Sequence, residues 1–525
     1  HININSDLVD GLIEGQYDPS TILPAVIDIL AQSFPVMNKS VTNDSTPTNH
    51  NDLVHKNDFK FNFTSKDNNQ LTDFIKSPVR LIHPIEISGE LNHQQHKMSL
   101  LIDIPYLDQN YKLIKNSSIH LDIDDTIDKC QFYATTLFPT KNGDAEIAIA
   151  CYGNDNRLDT DISWHILRER TFRGNINLST LFGKRVNSDE TETLLANVSI
   201  NPSQMIFNDT IWSVNPASIL IEGNDVTIDG FDVRRDNQYI TLNGKISPNP
   251  DDEMRLNLLN VNLDYIFETL AINNVMFGGN ATGTFIAKDI FSKEPQLSTP
   301  GLSVKGLSYN YAVLGDAIIE SQWVQANKAV TIDATVAQDN GRTSYINGEI
   351  FPMNDSLDFK FKADKINVGF MEPFMSAFAK DVSGFASGDA RLWGTFKFID
   401  MVGDIYAEDL RLKIDFTNTY YTATDSVHLK PGYIEFDNID LYDAYGNNAK
   451  LGGYLKHYCF KRPEYNFQIT NAKNFLCYDE TEKRSPIWWG RIFGNGKATV
   501  EGVPGTVKIT VNMSTAPKSN FTFVL

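Results

Sequence analysis

Three short segments set the architecture open to this chain. Tyr239-Ile-Thr-Leu-Asn-Gly-Lys-Ile246, Ser344-Tyr-Ile-Asn-Gly-Glu-Ile350 and Ala449-Lys-Leu-Gly-Gly-Tyr-Leu455 each place a glycine among alternating apolar positions, at Gly244, Gly348 and Gly453. A glycine pair leading into an alternating strand keeps the same step, at Gly279/Gly283, Gly384/Gly388 and Gly490/Gly494 with Gly496. The interval is about 105 residues, and a fixed period of supersecondary units means stacked modules rather than one globular core.

Between these markers the dominant signal is strict apolar/polar alternation. It runs through Phe59, Phe61 and Phe63, through Ile119, Leu121 and Ile123, and through Val330, Ile332, Ala334 and Val336. Successive side chains point to opposite faces of a strand, so each segment has one apolar face and one wet face. Such strands belong in antiparallel sheets, and Asp339-Asn-Gly341, Lys141-Asn-Gly143 and Tyr445-Gly-Asn447 suit the hairpins between them. Helical patterning is short. Pro19–Phe34 reads as an amphipathic helix with Ile22, Val26, Ile29 and Leu30 on one side. Leu178–Phe182, Leu263–Leu270 and Met371–Ala379 read as brief caps at a sheet margin, and the polar stretch Asn38–Asn57 as a loop. The expected fold is all-β, an elongated repeat-built antiparallel sheet with a few short helices at its margins. Its soft divisions are 1–90 (helix, loop and first strands), 91–200, 201–300, 301–400 and 401–525.

Composition excludes several functions. With 66 acidic against 46 basic residues the net charge is −20, the wrong sign for a nucleic-acid backbone or an anionic membrane surface. The cysteines Cys130, Cys151, Cys459 and Cys477 match no zinc spacing and read as buried thiols, with a Cys459–Cys477 bridge as the alternative. No stretch approaches the ~20 apolar residues that span a bilayer. Both ends lie in strand-like runs, from Ile2 and Ile4 to Phe521-Thr-Phe-Val-Leu525, so an anchor outside this segment is expected.

One apolar face per strand, with few helices to cover it, leaves two arrangements. Either the sheet closes on itself, or it curls into a trough with an open apolar interior. A large open apolar surface implies a ligand.

The segment from about Gly384 to Leu525 bears on that choice. It contains Asp381-Val-Ser-Gly-Phe-Ala-Ser-Gly-Asp-Ala-Arg-Leu-Trp-Gly-Thr-Phe396 and Gly403-Asp-Ile-Tyr-Ala-Glu-Asp-Leu-Arg-Leu-Lys-Ile414. Ile434-Glu-Phe-Asp-Asn-Ile-Asp-Leu-Tyr-Asp443 and Gly446-Asn-Asn-Ala-Lys-Leu-Gly452 follow. These motifs resemble the TamB family of Gram-negative envelope proteins, in its Bacteroidetes type. Residues 200–380 fit more loosely, and residues 1–200 by pattern alone. The resemblance implies a U-sectioned β trough in the periplasm, bridging inner and outer membranes and carrying phospholipid acyl chains. It also implies an inner-membrane anchor and an outer-membrane assembly barrel of the TamA type, both met outside this chain, and neither cofactor, metal nor catalytic residue.

Within that frame the groove candidates are the apolar faces. They comprise Val330, Ile332, Val336, Phe359, Phe361, Ile366, Val368, Leu410, Leu412, Ile414 and Phe416, then Ile434, Phe436, Val507, Ile509 and Val511. An acyl chain of sixteen carbons left in water costs on the order of 12 kcal/mol at about 0.8 kcal/mol per methylene, and a continuous apolar face removes most of that. A scaffold that offers strand edges to a partner is the alternative, and an adhesin-like solenoid would need stacked polar ladders that the sequence lacks. Four Asp-[Ser/Thr]-aliphatic triplets, at Thr126, Thr210, Ser356 and Ser426, match the O-glycosylation pattern of Bacteroidetes envelope proteins.

Other motifs weigh less. Asp122-Ile-Asp124-Asp-Thr126 matches the loop of haloacid-dehalogenase-type phosphatases, where one aspartate attacks phosphate beside Mg²⁺. That chemistry needs a parallel α/β sheet, whereas the alternation Ile119, Leu121, Ile123 puts these carboxylates on the wet side of a strand. A divalent cation held by Asp122, Asp124, Asp125 and Asp128 is the lesser alternative. His93, His96, His428 and His457 are scattered and read as solvent-facing. Trp488-Trp489 reads as one packed and one marginal ring, or as a gate for acyl chains.

Overall fold

The computed structural model describes residues 1–37, 57–66, 72, 79–109, 112–124, 129–140, 143–166, 172–207, 209–264, 276–292, 294–339, 341–376, 378–458, 461–503 and 505–524. Among them, 33 strands pair antiparallel, and helix is confined to short pieces. The fold is the all-β, repeat-built antiparallel sheet that the alternation implies. The chain divides into two compact units, His1–Leu256 and Asn257–Leu525.

In the first unit the sheet carries helix α1, Ile22–Ser33, on its apolar side. Ala25 and Ile29 have no exposed surface and pack on Phe59, Leu91, Met98, Ile123 and Cys130, drawn from five strands. Polar contacts pin both ends of the helix. Asn57 donates from Nδ2 to Thr21 Oγ1 at 2.9 Å and accepts from the Asp18 N–H at 3.0 Å. At the other end, Asn156 accepts the Val36 N–H at 2.7 Å and donates its own N–H to the Ser33 carbonyl at 3.0 Å. His93 is buried and its Nε2 lies 2.7 Å from Asp28 Oδ2 on the helix, so it is not the solvent-facing loop histidine its neighbours suggest.

Two further helix expectations meet the structure differently. Leu178–Phe182 lies inside the strand Phe172–Val186, where Leu178 faces both Thr160 and Ile200. Five residues gain more from two strand partners than from one helical turn. Met371–Ala379 does hold one helical turn, α2, Glu372–Met375, which follows the 3₁₀ turn Val368–Met371, and its last residue Ala379 opens the next strand. Most of Leu263–Leu270 and residues 38–56 of the polar loop lie outside the described residues.

The second unit holds a meander of fourteen strands, from Phe277–Lys288 to Thr506–Thr515, with the short strand Asn520–Phe523 paired to Trp488–Val503. A feature invisible in simple alternation recurs along it. At Gly306, Lys365 and Asp409 the backbone turns to positive φ and the strand carries an extra residue, a β-bulge. Each orphaned N–H donates to a side-chain oxygen of the next strand. Gly306 reaches Asp316 Oδ1 at 2.7 Å, Lys365 reaches Ser387 Oγ at 2.9 Å, and Asp409 reaches Thr424 Oγ1 at 2.9 Å. Asn260, one repeat before Lys365, makes the same bond to Thr282, one repeat before Ser387. The bulge is therefore part of the repeat.

The repeat glycines have a direct cause. A Cβ on Gly348 would stand 2.5 Å from the ring of Phe359, which lies over it from the next strand. Gly453 has φ of 116°, and a Cβ there would come within 1.9 Å of the Asn466 carbonyl. Bulges sharpen local twist and bend, and the unit curls accordingly. Phe378, just before the strand Ala379–Thr395, packs at 5.4 Å and 5.9 Å ring separation on Tyr465 and Phe467, five strands away. Rings that far apart in the meander meet only if the sheet is concave toward its apolar side.

An apolar strand face as the candidate functional site

Strand register assembles the alternating residues into ladders. Across the fourteen strands of this meander one ladder reads Gly283, Leu302, Ile319, Ala334, Ile346, Phe361 and Ala390. It continues through Gly403, Leu429, Ile434, Leu455, Tyr465, Gly502 and Val507. Every position is apolar, aromatic or glycine. The first unit carries one of its own through Ile13, Phe61, Gly89, Leu100, Leu121, Phe132, Cys151, Thr160, Leu178, Ile200 and Ala217, with Thr160 the single polar member.

The bulges keep these ladders in phase. The apolar positions step by two up to Ala363 and then jump to Ile366. They do the same from Ala407 to Leu410 and from Phe436 to Ile439. Each jump in the sequence coincides with the extra residue in the strand, so the apolar set stays on one face.

Filling of this face is uneven. Near one end of its strands the second unit packs its own side chains together: Tyr421, Ala423, Ile439, Leu441, Ala449, Ala472 and Phe475. The rings of Tyr421 and Phe475 stack at 5.2 Å, and the Tyr421 hydroxyl donates to the Leu476 carbonyl at 2.9 Å, its pKa raised by burial. Elsewhere Ile346, Phe361, Ala390, Gly403, Leu429, Ile434 and Leu455 are partly exposed rather than buried. In the first unit α1 covers the corresponding face at one margin.

Most groove candidates fall on this face. Val330, Ile332, Phe359 and Phe361 sit on adjoining strands, with Ile332 and Phe359 on either side of Gly348. Ile366 follows the bulge opposite Ala386. Leu410, Leu412 and Ile414 face Ala423, Tyr421 and Thr419. Val336 lies on the same face but is 1% exposed. Ile434 and Phe436 face Leu455 and Gly453. Val507, Ile509 and Val511 form the exposed face of the strand Thr506–Thr515.

Two candidates do not belong. Phe416 lies in the turn after the strand Phe398–Ile414 and is 71% exposed, because the chain reverses before alternation can bring it back. Val368 is buried in the 3₁₀ turn, which starts where the Asn367 side chain accepts the Gly369 N–H at 2.9 Å.

The remaining motifs show no assembled chemistry. Asp122 sits on the polar side of its strand between Ser99 and Gln131. Asp124 ends the same strand opposite Lys97, and residues 125–128, with Thr126, Asp125 and Asp128, lie outside the described residues, among which no group of His, Cys, Asp and Glu could hold a metal. His428 Nδ1 lies 2.6 Å from Asp404 Oδ1 on the polar face, and burial lowers the His457 pKa. Cys130 and Cys477 are free thiols whose pKa burial raises to about 11, the opposite of an activated nucleophile. Cys459 lies outside the described residues. Trp488 is 47% exposed and Trp489 partly so, at the start of a strand that faces Phe523 and Thr522. Thr210 and Ser356 open strands and are partly buried, while Ser426 is exposed on the polar face. Comparison of the chain with known protein families, with curated proteins and with solved structures finds no match.

Proposed function

We propose that this chain is a non-enzymatic lipid conduit whose concave apolar face carries phospholipid acyl chains, with headgroups left in water at the open edge. The observation that carries this is the unbroken apolar ladder across fourteen strands, partly exposed along most of its length. An apolar surface of that extent needs an occupant. Its demand is for alkyl chain rather than for a polar group, because every ladder position but Tyr465 offers only carbon or backbone. The resemblance of residues 384–525 to TamB proteins supports putting such a conduit in the periplasm of a Gram-negative bacterium, between an inner-membrane anchor and an outer-membrane assembly barrel. Native mass spectrometry with lipid extraction tests the reading. Several phospholipids per chain support it, and a lipid-free chain from gentle detergent overturns it.

One observation favours a second reading. The strand Thr506–Thr515 pairs on one side only among the described strands, and its Val507 and Val511 are 53% and 61% exposed. An unpaired edge of that length can accept a partner's strand, as a scaffold for assembly of outer-membrane proteins would.

A further inference from the structure

Two carboxylates interrupt the apolar side of the second unit, and they differ in kind. Asp443 is buried at the end of its strand and accepts from the backbone N–H groups of Tyr445, Asn447 and Leu476 and from the Asn447 amide. It is a structural clasp. Asp425 lies mid-strand, in the same alternation as Tyr421, Ala423, Val427 and Leu429, and opposite Ala407. It is partly exposed, its one hydrogen bond among the described residues is from the adjacent Ser426 N–H at 2.8 Å, and no cation pairs with it there. Its neighbours Ala407 and Ala423 are small. Both flanking strands slip register beside it, between Ala407 and Leu410 and between Ala423 and His428.

We propose that Asp425 is the rate-setting polar step of the conduit. The inference rests on the acyl-chain reading above. On an empty face the carboxylate keeps its water. An alkyl chain passing over Ala407, Ala423 and Val427 strips that water, and nothing in the face replaces it, so passage slows at this one position.

The test is transfer of a pyrene-labelled phosphatidylcholine between donor and acceptor vesicles by the whole chain. It compares wild type with Asp425→Asn, which removes charge but keeps shape, and Asp425→Leu, which completes the apolar face. Transfer about tenfold faster for the leucine variant, with asparagine between, supports the proposal; that ratio corresponds to about 1.4 kcal/mol of barrier. Equal or slower transfer by both variants, with wild type still carrying lipid, overturns it and leaves the conduit standing. A wild type that neither holds nor transfers lipid overturns the conduit, and this step with it.

Discussion

Phe361 and Lys360 are adjacent in the chain and point to opposite sides of the same strand, which makes them a matched pair for testing the face. Phe361 sits in the apolar ladder between Ile346 and Ala390, whereas Lys360 is exposed beside Asn347 and Arg391. Replacing the phenyl ring with a carboxylate forfeits part of its burial, about 2 kcal/mol for a partly exposed ring. A domain stability of roughly 5–15 kcal/mol absorbs that loss, so the Phe361→Asp chain stays folded. Lipid binding has no such margin at this position. An acyl chain that must lift three or four methylenes off the charge loses about 3 kcal/mol, since each is worth about 0.8 kcal/mol. Occupancy at this stretch then falls roughly a hundredfold. The assay is phospholipid phosphorus per mole of purified chain, read beside a urea melt. Lys360→Asp, with Arg391 opposite to receive it, should retain the wild-type lipid content. Unchanged lipid content in a folded Phe361→Asp chain would refute the reasoning, and equal loss in both variants would show that net charge rather than the face decides.

Three further outcomes follow from the packing. Phe475→Ala should cost about 3–5 kcal/mol of unfolding free energy in a urea melt, because the ring is 1% exposed and stacks on Tyr421; a loss under about 1 kcal/mol would mean that cluster is loose. Ser387→Ala removes the acceptor for the Lys365 N–H and should cost about 1–2 kcal/mol with faster amide exchange at Lys365, and Thr282→Ala should do the same at Asn260; protected amides would show that water replaces the hydroxyl. Cys130 and Cys477, with pKa values raised to about 11 against an ordinary 9.0, carry ~100-fold less thiolate at pH 8 than unperturbed thiols. Their reaction with a disulfide reagent should therefore be slow at pH 8 and quicken as pH rises toward 11, whereas labelling at the rate of free cysteine would contradict the burial.

Much of this fold is legible in the sequence because a strand with one wet face writes its period directly into the chain. The ladder through Phe359, Phe361, Leu429 and Ile434 follows from alternation plus hairpin register. The jumps from Ala363 to Ile366 and from Ala407 to Leu410 are also in the sequence, but as breaks in a period of two. Only the positive φ at Lys365 and Asp409 shows that they are bulges rather than strand ends. What alternation cannot carry is contact from a distant segment. Asn57 and His93 look like loop residues, and both are buried because α1 arrives from elsewhere in the chain to lie on them. Phe416 errs in the opposite sense, fitting the alternation although the strand has already ended. Asp425 breaks its period, a carboxylate among Ala423, Val427 and Leu429, and only the register that sets it opposite Ala407 puts it on the apolar side.

The uneven filling of the face is the strongest argument about its purpose. The chain closes its apolar side where it commits rings to doing so. In the second unit Tyr421 and Phe475 stack there, with the one buried hydroxyl satisfied by the Leu476 carbonyl. In the first unit a whole helix serves, held by Asn57, Asn156 and His93. Closure was thus within reach of this sequence by two different means. The ladder from Ile346 through Phe361, Ala390, Gly403, Leu429 and Ile434 to Leu455 uses neither, and its side chains remain partly exposed. It instead sets Ala390 and Gly403 side by side among large residues, and the bulges beside it bend the sheet. A bend maintained around an unfilled apolar strip leaves it accessible to a ligand while shielding it from other copies of the chain. The unfilled strip, rather than the filled clusters, is where bound lipid should be sought.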